Sequence, residues 1–200
     1  MGCEHLGCEV DDPLVDDPLL YTAIDVGIKR DSTAITSVYP YAQKRYVMWA
    51  CAVCEAPVNM IRQVHPYLEK LLKTRRVMRL GFDPYQMATT HQWLIEQGWE
   101  HLCEEINQSS QMILAANTLH SHCWDRTFIM PLDGKVRSHF IACAAEHKER
   151  GWRIVKQKQS KQIDATVATA MALMLATQER GHIWHPSANR SPTLSAALLP

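Results

Sequence analysis

Residues 21–39, YTAIDVGIKRDSTAITSVY, read as two largely apolar, β-branched stretches on either side of a polar break, with the acidic Asp25 inside the first. The β-branched positions Ile24 and Val26, then Thr33, Ile35 and Val38, predict two strands; Gly27, Lys29, Arg30, Asp31 and Ser32 supply the turn between them. Alternation with a period of two predicts a third strand over 44–56, with Val47, Trp49, Cys51 and Val53 on one face. Pro57 then opens a helix to about Arg75 whose apolar stripe is Ile61, Val64, Leu68, Leu71 and Leu72, kinked or broken at Pro66. A short apolar strand over 77–84 ends in Asp83-Pro84, and a helix over 85–97 is closed by Gly98. A strand over 99–106, a helix over 109–123 and an irregular or edge-strand stretch over 125–133 follow. The pattern predicts helix over 136–150 stopped by Gly151, a strand over GWRIVKQ, and a last helix over 162–178. This order predicts an α/β fold: a mixed central sheet, first an antiparallel meander and then crossover strands, flanked by helices.

Two hundred residues, 46% hydrophobic and 21% charged, suit one domain with a real core. Residues 1–19 read as an acidic leader or linker with two near-copies of VDDPL, residues 20–179 as the domain, and 180–200 as a flexible tail without periodicity. The formal net charge is zero, so attraction to a polyanion must come from local clustering. Such a cluster runs from Lys135 to Lys161 and includes Arg137, Lys148, Arg150, Arg153, Lys156 and Lys158 against Glu146 and Glu149. Lys70, Lys73, Arg75, Arg76 and Arg79 form a second one. Seven cysteines without an apolar leader predict reduced thiols in the cytoplasm, and no apolar run is long enough to span a membrane. Cys51 and Cys54 have zinc-like spacing, yet they fall on opposite faces of their strand.

Three acids stand where acids are unexpected. Asp25 lies within a core strand, Asp83 at the carboxyl end of a crossover strand, and Asp164 on the apolar face of the last helix with Val167, Ala168 and Met171. Asp83 could instead cap a helix, and Asp164 could be an ordinary first-turn charge. Asp25 has no comparable structural role. Three converging carboxylates repel one another unless a cation holds them, and an all-oxygen donor set selects Mg²⁺ or Mn²⁺. Such clusters hold two ions that activate water and stabilise the leaving oxygen in phosphodiester cleavage.

The motifs AIDVG with DSTAI, GFDPYQ, Gln108 before a helix, and GWRIVKQKQSKQIDATVATAMAL resemble the nuclease domain of phage terminase large subunits over about residues 20–178. The resemblance implies a ribonuclease H-like fold and a divalent-metal-dependent endonuclease that cuts concatemeric double-stranded DNA during genome packaging. It implies Asp25, Asp83 and Asp164 as the catalytic, metal-binding triad. Asp25 is expected to bridge two ions, with Asp83 and Asp164 completing one each and Asp31 in an outer role. Lys156, Lys158, Lys161 and Arg137 are the expected DNA contacts. The implied partners are a packaging ATPase domain or subunit, the portal and the small terminase, in the host cytoplasm and away from membranes. No G-x-x-x-x-G-K-[ST] loop is present, so packaging-motor activity is not assigned to these residues. The same fold serves Holliday-junction resolvases and transposases. An idle assembly module is a further alternative, and an actin-like ATPase would need a second Gly-rich hairpin that this chain lacks.

Overall fold

The computed structural model describes residues 4–6, 17–29, 31–41, 45–107, 110–149 and 151–183. The remainder of the acidic leader and the tail from 184 onward lie outside the described residues. The centre is a seven-stranded sheet in the order β1-β4-β3-β2-β5-β6, with β7 also pairing to β4. Its strands are β1 (Glu4–Leu6), β2 (Leu20–Asp25), β3 (Thr33–Tyr41), β4 (Arg45–Cys54), β5 (Val77–Phe82), β6 (Cys103–Glu105) and β7 (Phe128–Ile129). β2, β3 and β4 form the antiparallel meander, while β5 joins β2, and β6 joins β5, in parallel.

Helices cover both faces. One face packs under α1 (His65–Thr74) and α2 (Ala88–Glu96), with Ile24, Ile35, Leu68, Leu80, Phe82 and Leu94 in the shared core. The other receives α5 (Asp164–Ile183), backed by α3 (Ser110–Trp124) and α4 (Gly134–Ile141). α5 is apolar nearly all round: Ala165, Ala168, Ala170 and the run from Met171 to Ala176 are all buried. A helix buried on every side needs small residues to come this close to a sheet. Gly81 of β5 serves the same end, since a Cβ there would lie 2.6 Å from Ile106 Cδ1 and 2.8 Å from Leu175 Cδ1.

The sequence pattern misleads in three places. The helix expected from Pro57 starts only at Met60, as a π-helical turn (Met60–Val64), while the break expected at Pro66 is present: α1 begins there and carries Pro66 in its first turn, where the missing N–H costs nothing. The helix expected to run to Arg150 stops at Ile141. Cys143–Lys148 is instead strand β8, paired antiparallel with β9 (Gly151–Lys156) as a separate two-stranded hairpin. Local preference in CAAEHK is helical, and pairing with β9 overrides it. Gly151, at φ 141°, belongs to the hairpin turn and does not terminate a helix.

In β4 the ladder shifts between Ser37 and Val38, which pair with Ala50 and Met48, so Trp49 is the bulged residue. Val47 and Trp49 therefore pack on the α1 side with Leu71 and Val77, whereas Cys51 and Val53 pack against Ala165 and Ala168 of α5. They do not share one face. Cys51 is a free, buried thiol and Cys54 is disulfide-bonded, which excludes the pair as zinc ligands and corrects the expectation of uniformly reduced thiols.

Candidate functional site

The register of two adjacent parallel strands places the first two acids. Ile24 of β2 lies beside Phe82 of β5, so the next residue of each chain segment, Asp25 and Asp83, emerges from the same sheet end. This is the carboxyl end of the parallel strands, where open α/β sheets bind ligands. By alternation, Asp25 continues the face of Tyr21 and Ala23, which packs on α5. Asp164 begins α5 and is 6% exposed. All three acids, with Asp31, Arg153 and Lys156, line one cavity of about 290 Å³.

The acids are held differently. Asp164 Oδ2 accepts a short, 2.5 Å hydrogen bond from Ser32 Oγ, worth about 1.5–3 kcal/mol for a charged acceptor. Asp83 Oδ1 accepts from the Tyr85 amide at 3.0 Å. Asp31 is drawn into a close ion pair with Lys156 of β9. Among the described residues, nothing hydrogen-bonds the carboxyl of Asp25. By accessible area Asp25 is only partly buried, because it opens on the cavity, yet the surrounding protein displaces much of its hydration. That lost hydration governs the cost of charging it. Desolvation, followed by the charges of Asp164, Asp83 and Asp31, pushes its pKa up to about 8 against a smaller opposing pull from Lys156. Burial also raises the pKa of Asp164, opposed first by the Ser32 hydrogen bond.

Among the described residues, no three His, Cys, Asp or Glu side chains are already gathered as a metal ion's ligands. The donor set nevertheless fits a hard divalent cation. It is all carboxylate, and one member is desolvated without a hydrogen-bond partner among the described residues, at a point where three other carboxyl groups raise its pKa. A cation there would remove both penalties.

Several contributors escape a reading of the sequence. Asp31, expected only in an outer role, shares the cavity with the other acids. Ser32 was visible only as a turn residue. His139 of α4 is 2% exposed, and its Nδ1 accepts the Ala165 amide at 3.2 Å, which fixes the start of α5 and hence Asp164. Burial lowers the pKa of His139, keeping the ring neutral and able to accept. None of the three carries a period or spacing that would single it out.

Gly27 sits behind this arrangement. A Cβ on it would lie 2.5 Å from Asp31 Cβ and 2.6 Å from the Ser32 carbonyl oxygen. It packs against its own turn rather than facing an incoming ligand. Gly27→Ala is expected to lower stability by about 1–3 kcal/mol through overpacking, read by urea denaturation. An unchanged midpoint would show that the turn holding Asp31 and Ser32 yields freely.

A second, open groove of about 670 Å³ adjoins the cavity and shares Asp31 with it. Lys135, Ser138, Gln157, Lys158, Lys161 and Gln162 line it. Lys156 belongs to the cavity, Lys158 and Lys161 to the groove, and Arg137, exposed on α4, to neither. The second basic cluster is occupied internally: Lys73 pairs with Glu69, Arg76 with Asp17, Arg79 with Glu104, and Arg75 lies over Trp49.

The sequence matches no protein-family model and no curated protein. Solved structures are similar. The large terminase nuclease from thermophilic phage G20c, with bound magnesium, superposes at TM-score 0.64 and 13% identity, covering 79% of this chain and 82% of that one. The HK97 bacteriophage large terminase gives 0.66 at 13% identity, covering 86% of this chain, which spans only 44% of that protein. The g2p (large terminase) nuclease domain of bacteriophage SPP1, with bound Mn, gives 0.55 at 14% identity over 83% and 91% of the two chains. The fold is therefore the ribonuclease H-like fold of the large terminase nucleases: a mixed sheet flanked by helices.

Proposed function

We propose that this chain is a divalent-metal-dependent DNA endonuclease of the terminase type. The observation that carries the reading is the convergence of Asp25, Asp83 and Asp164, from three distant parts of the chain, on one cavity at the carboxyl end of the parallel strands. The bound magnesium, manganese and cobalt in the structural neighbours support the choice of cofactor. Asp25, Asp83 and Asp164 would hold Mg²⁺ or Mn²⁺, as one ion or two. When bound, such ions lower the pKa of water and offset the charge of the cleaved phosphate.

The chain's own groups do the rest. Ser32 and His139 hold Asp164 and the start of α5 in place. Lys156 offsets carboxylate charge inside the cavity, and Lys158 and Lys161 line a groove along which a phosphate backbone would run to the site. Those contacts are to phosphates, so they orient DNA without reading its bases. Arg137, outside both spaces, would meet DNA only beyond the groove. Cutting of concatemeric DNA during packaging, together with a packaging ATPase domain or subunit, portal and small terminase in the host cytoplasm, completes the proposal. No described helix is long and apolar enough to cross a membrane.

The test is cleavage of linear, supercoiled and four-way-junction DNA with Mn²⁺ or Mg²⁺. Linear and supercoiled DNA should be cut, and a chelator should stop the reaction. Cleavage confined to the junction would reassign the chain to the resolvases. No cleavage of any substrate would sink the nuclease reading.

A further inference from the structure

Tyr85 stands out among the six tyrosines of the chain. Tyr21, Tyr39 and Tyr46 are buried and Tyr41 and Tyr67 partly so, whereas Tyr85 is 75% exposed. Its position is fixed on both sides. Its amide donates to Asp83 Oδ1 at 3.0 Å, and Pro84 immediately before it has a ring-locked φ. Met87, two residues later, is fully buried among Ile24, Leu80, Phe82 and Leu94. Between them Gln86 takes φ 146°, a backbone region that residues with side chains rarely adopt. The amides of Gln86 and Met87 both point to the Pro84 carbonyl oxygen at 3.2 Å.

A strained, doubly anchored turn thus presents an uncovered aromatic side chain two residues after Asp83, whose carboxyl lines the cavity and accepts the Tyr85 amide. Backbone strain persists only where surrounding structure enforces it, and it concentrates at functional sites. Packing does not explain the ring's position, because the ring packs on little.

Resting on the nuclease reading above, the geometry points to Tyr85 as a substrate-positioning residue: its ring stacks on the nucleoside beside the scissile phosphate. The lysines of the groove offer phosphate contacts, which leave a strand free to slide along its own axis. One aromatic face on a fixed turn would stop that sliding, since stacking is worth about 1–3 kcal/mol per base and tolerates any sequence. The ring's hydroxyl plays no part in it.

The experiment compares Tyr85→Ala, Tyr85→Phe and Tyr85→Trp in the full chain. Steady-state cleavage of linear duplex, anisotropy of labelled duplex in Ca²⁺ and calorimetric titration with Mn²⁺ alone are measured for each. Tyr85→Ala should raise KM and the DNA dissociation constant about 5–150-fold, with kcat within about threefold and Mn²⁺ affinity unchanged. Tyr85→Phe and Tyr85→Trp should match the parent. Parent-like DNA binding by Tyr85→Ala overturns the proposal, as does equal impairment of Tyr85→Phe, which would assign the role to the hydroxyl. Weakened Mn²⁺ binding in Tyr85→Ala overturns it too, because the ring would then act through Asp83. A parent that binds DNA but never cuts it fails the nuclease reading, and the anisotropy comparison still decides the role of Tyr85.

Discussion

Replacing Asp25 with Asn is expected to lower metal-dependent DNA cleavage by roughly 10²–10³-fold or more, the scale set by losing one electrostatic stabiliser of the reacting centre. Asn keeps the shape of the side chain and removes the charge. Without a cation, that charge is the most costly in the cavity, since desolvation and three neighbouring acids already favour the neutral form. The variant should therefore fold at least as well as the parent by circular dichroism while binding Mn²⁺ more weakly by calorimetry. Loss of activity with loss of fold would point to a structural role. Parent-rate nicking by a folded Asp25→Asn protein would remove Asp25 from the site.

In metal-free protein the contribution of Asp25 to stability should fall as pH rises from 3.8 to about 8. The folded state keeps the Asp25 proton over this range while the unfolded state has released it, so the unfolded state binds fewer protons and is favoured as pH rises. The effect is absent below the unfolded value and complete above the folded one. At about 1.4 kcal/mol per unit, a rise from 3.8 to about 8 caps the loss at about 6 kcal/mol. Because the carboxyl opens on a cavity, about 2–4 kcal/mol is expected. Asp164, also raised by burial, adds in the same direction. Urea denaturation of parent and Asp25→Asn across pH in a chelator should show this decline as the difference between them. Millimolar Mn²⁺ should restore stability most at the alkaline end, where the carboxylates are ionised and ready to bind. A difference in metal-free stability between parent and Asp25→Asn that stays flat or moves the other way over this range would contradict the account of Asp25 as a desolvated acid without a hydrogen-bond partner.

The meander, the crossover strands and the last helix were legible because their apolar periods are enforced by burial on a definite face. So was the meeting of Asp25, Asp83 and Asp164, since strand ends and a helix start of known polarity must lie at one edge of an α/β sheet. What was not legible depends on partners distant in sequence. β8 has a helical composition and becomes a strand only because β9 pairs with it. The bulge at Trp49 reverses which residues of β4 face α5, and no period announces it. The ion pair of Asp31 with Lys156 and the hydrogen bond of Ser32 with Asp164 join residues 125 and 132 positions apart. Neither side of these pairs predicts the other.

The placement of Asp164 at the head of the final helix also bears on how such a protein comes into being. Asp25 leaves the ribosome before Asp83, and the third acid follows only with α5, which fills the space between the sheet and α3. A nascent chain stalled or clipped before that helix lacks Asp164 and has an uncovered sheet face and no finished cavity. On the proposed nuclease reading, activity against DNA would arise only as the core closes.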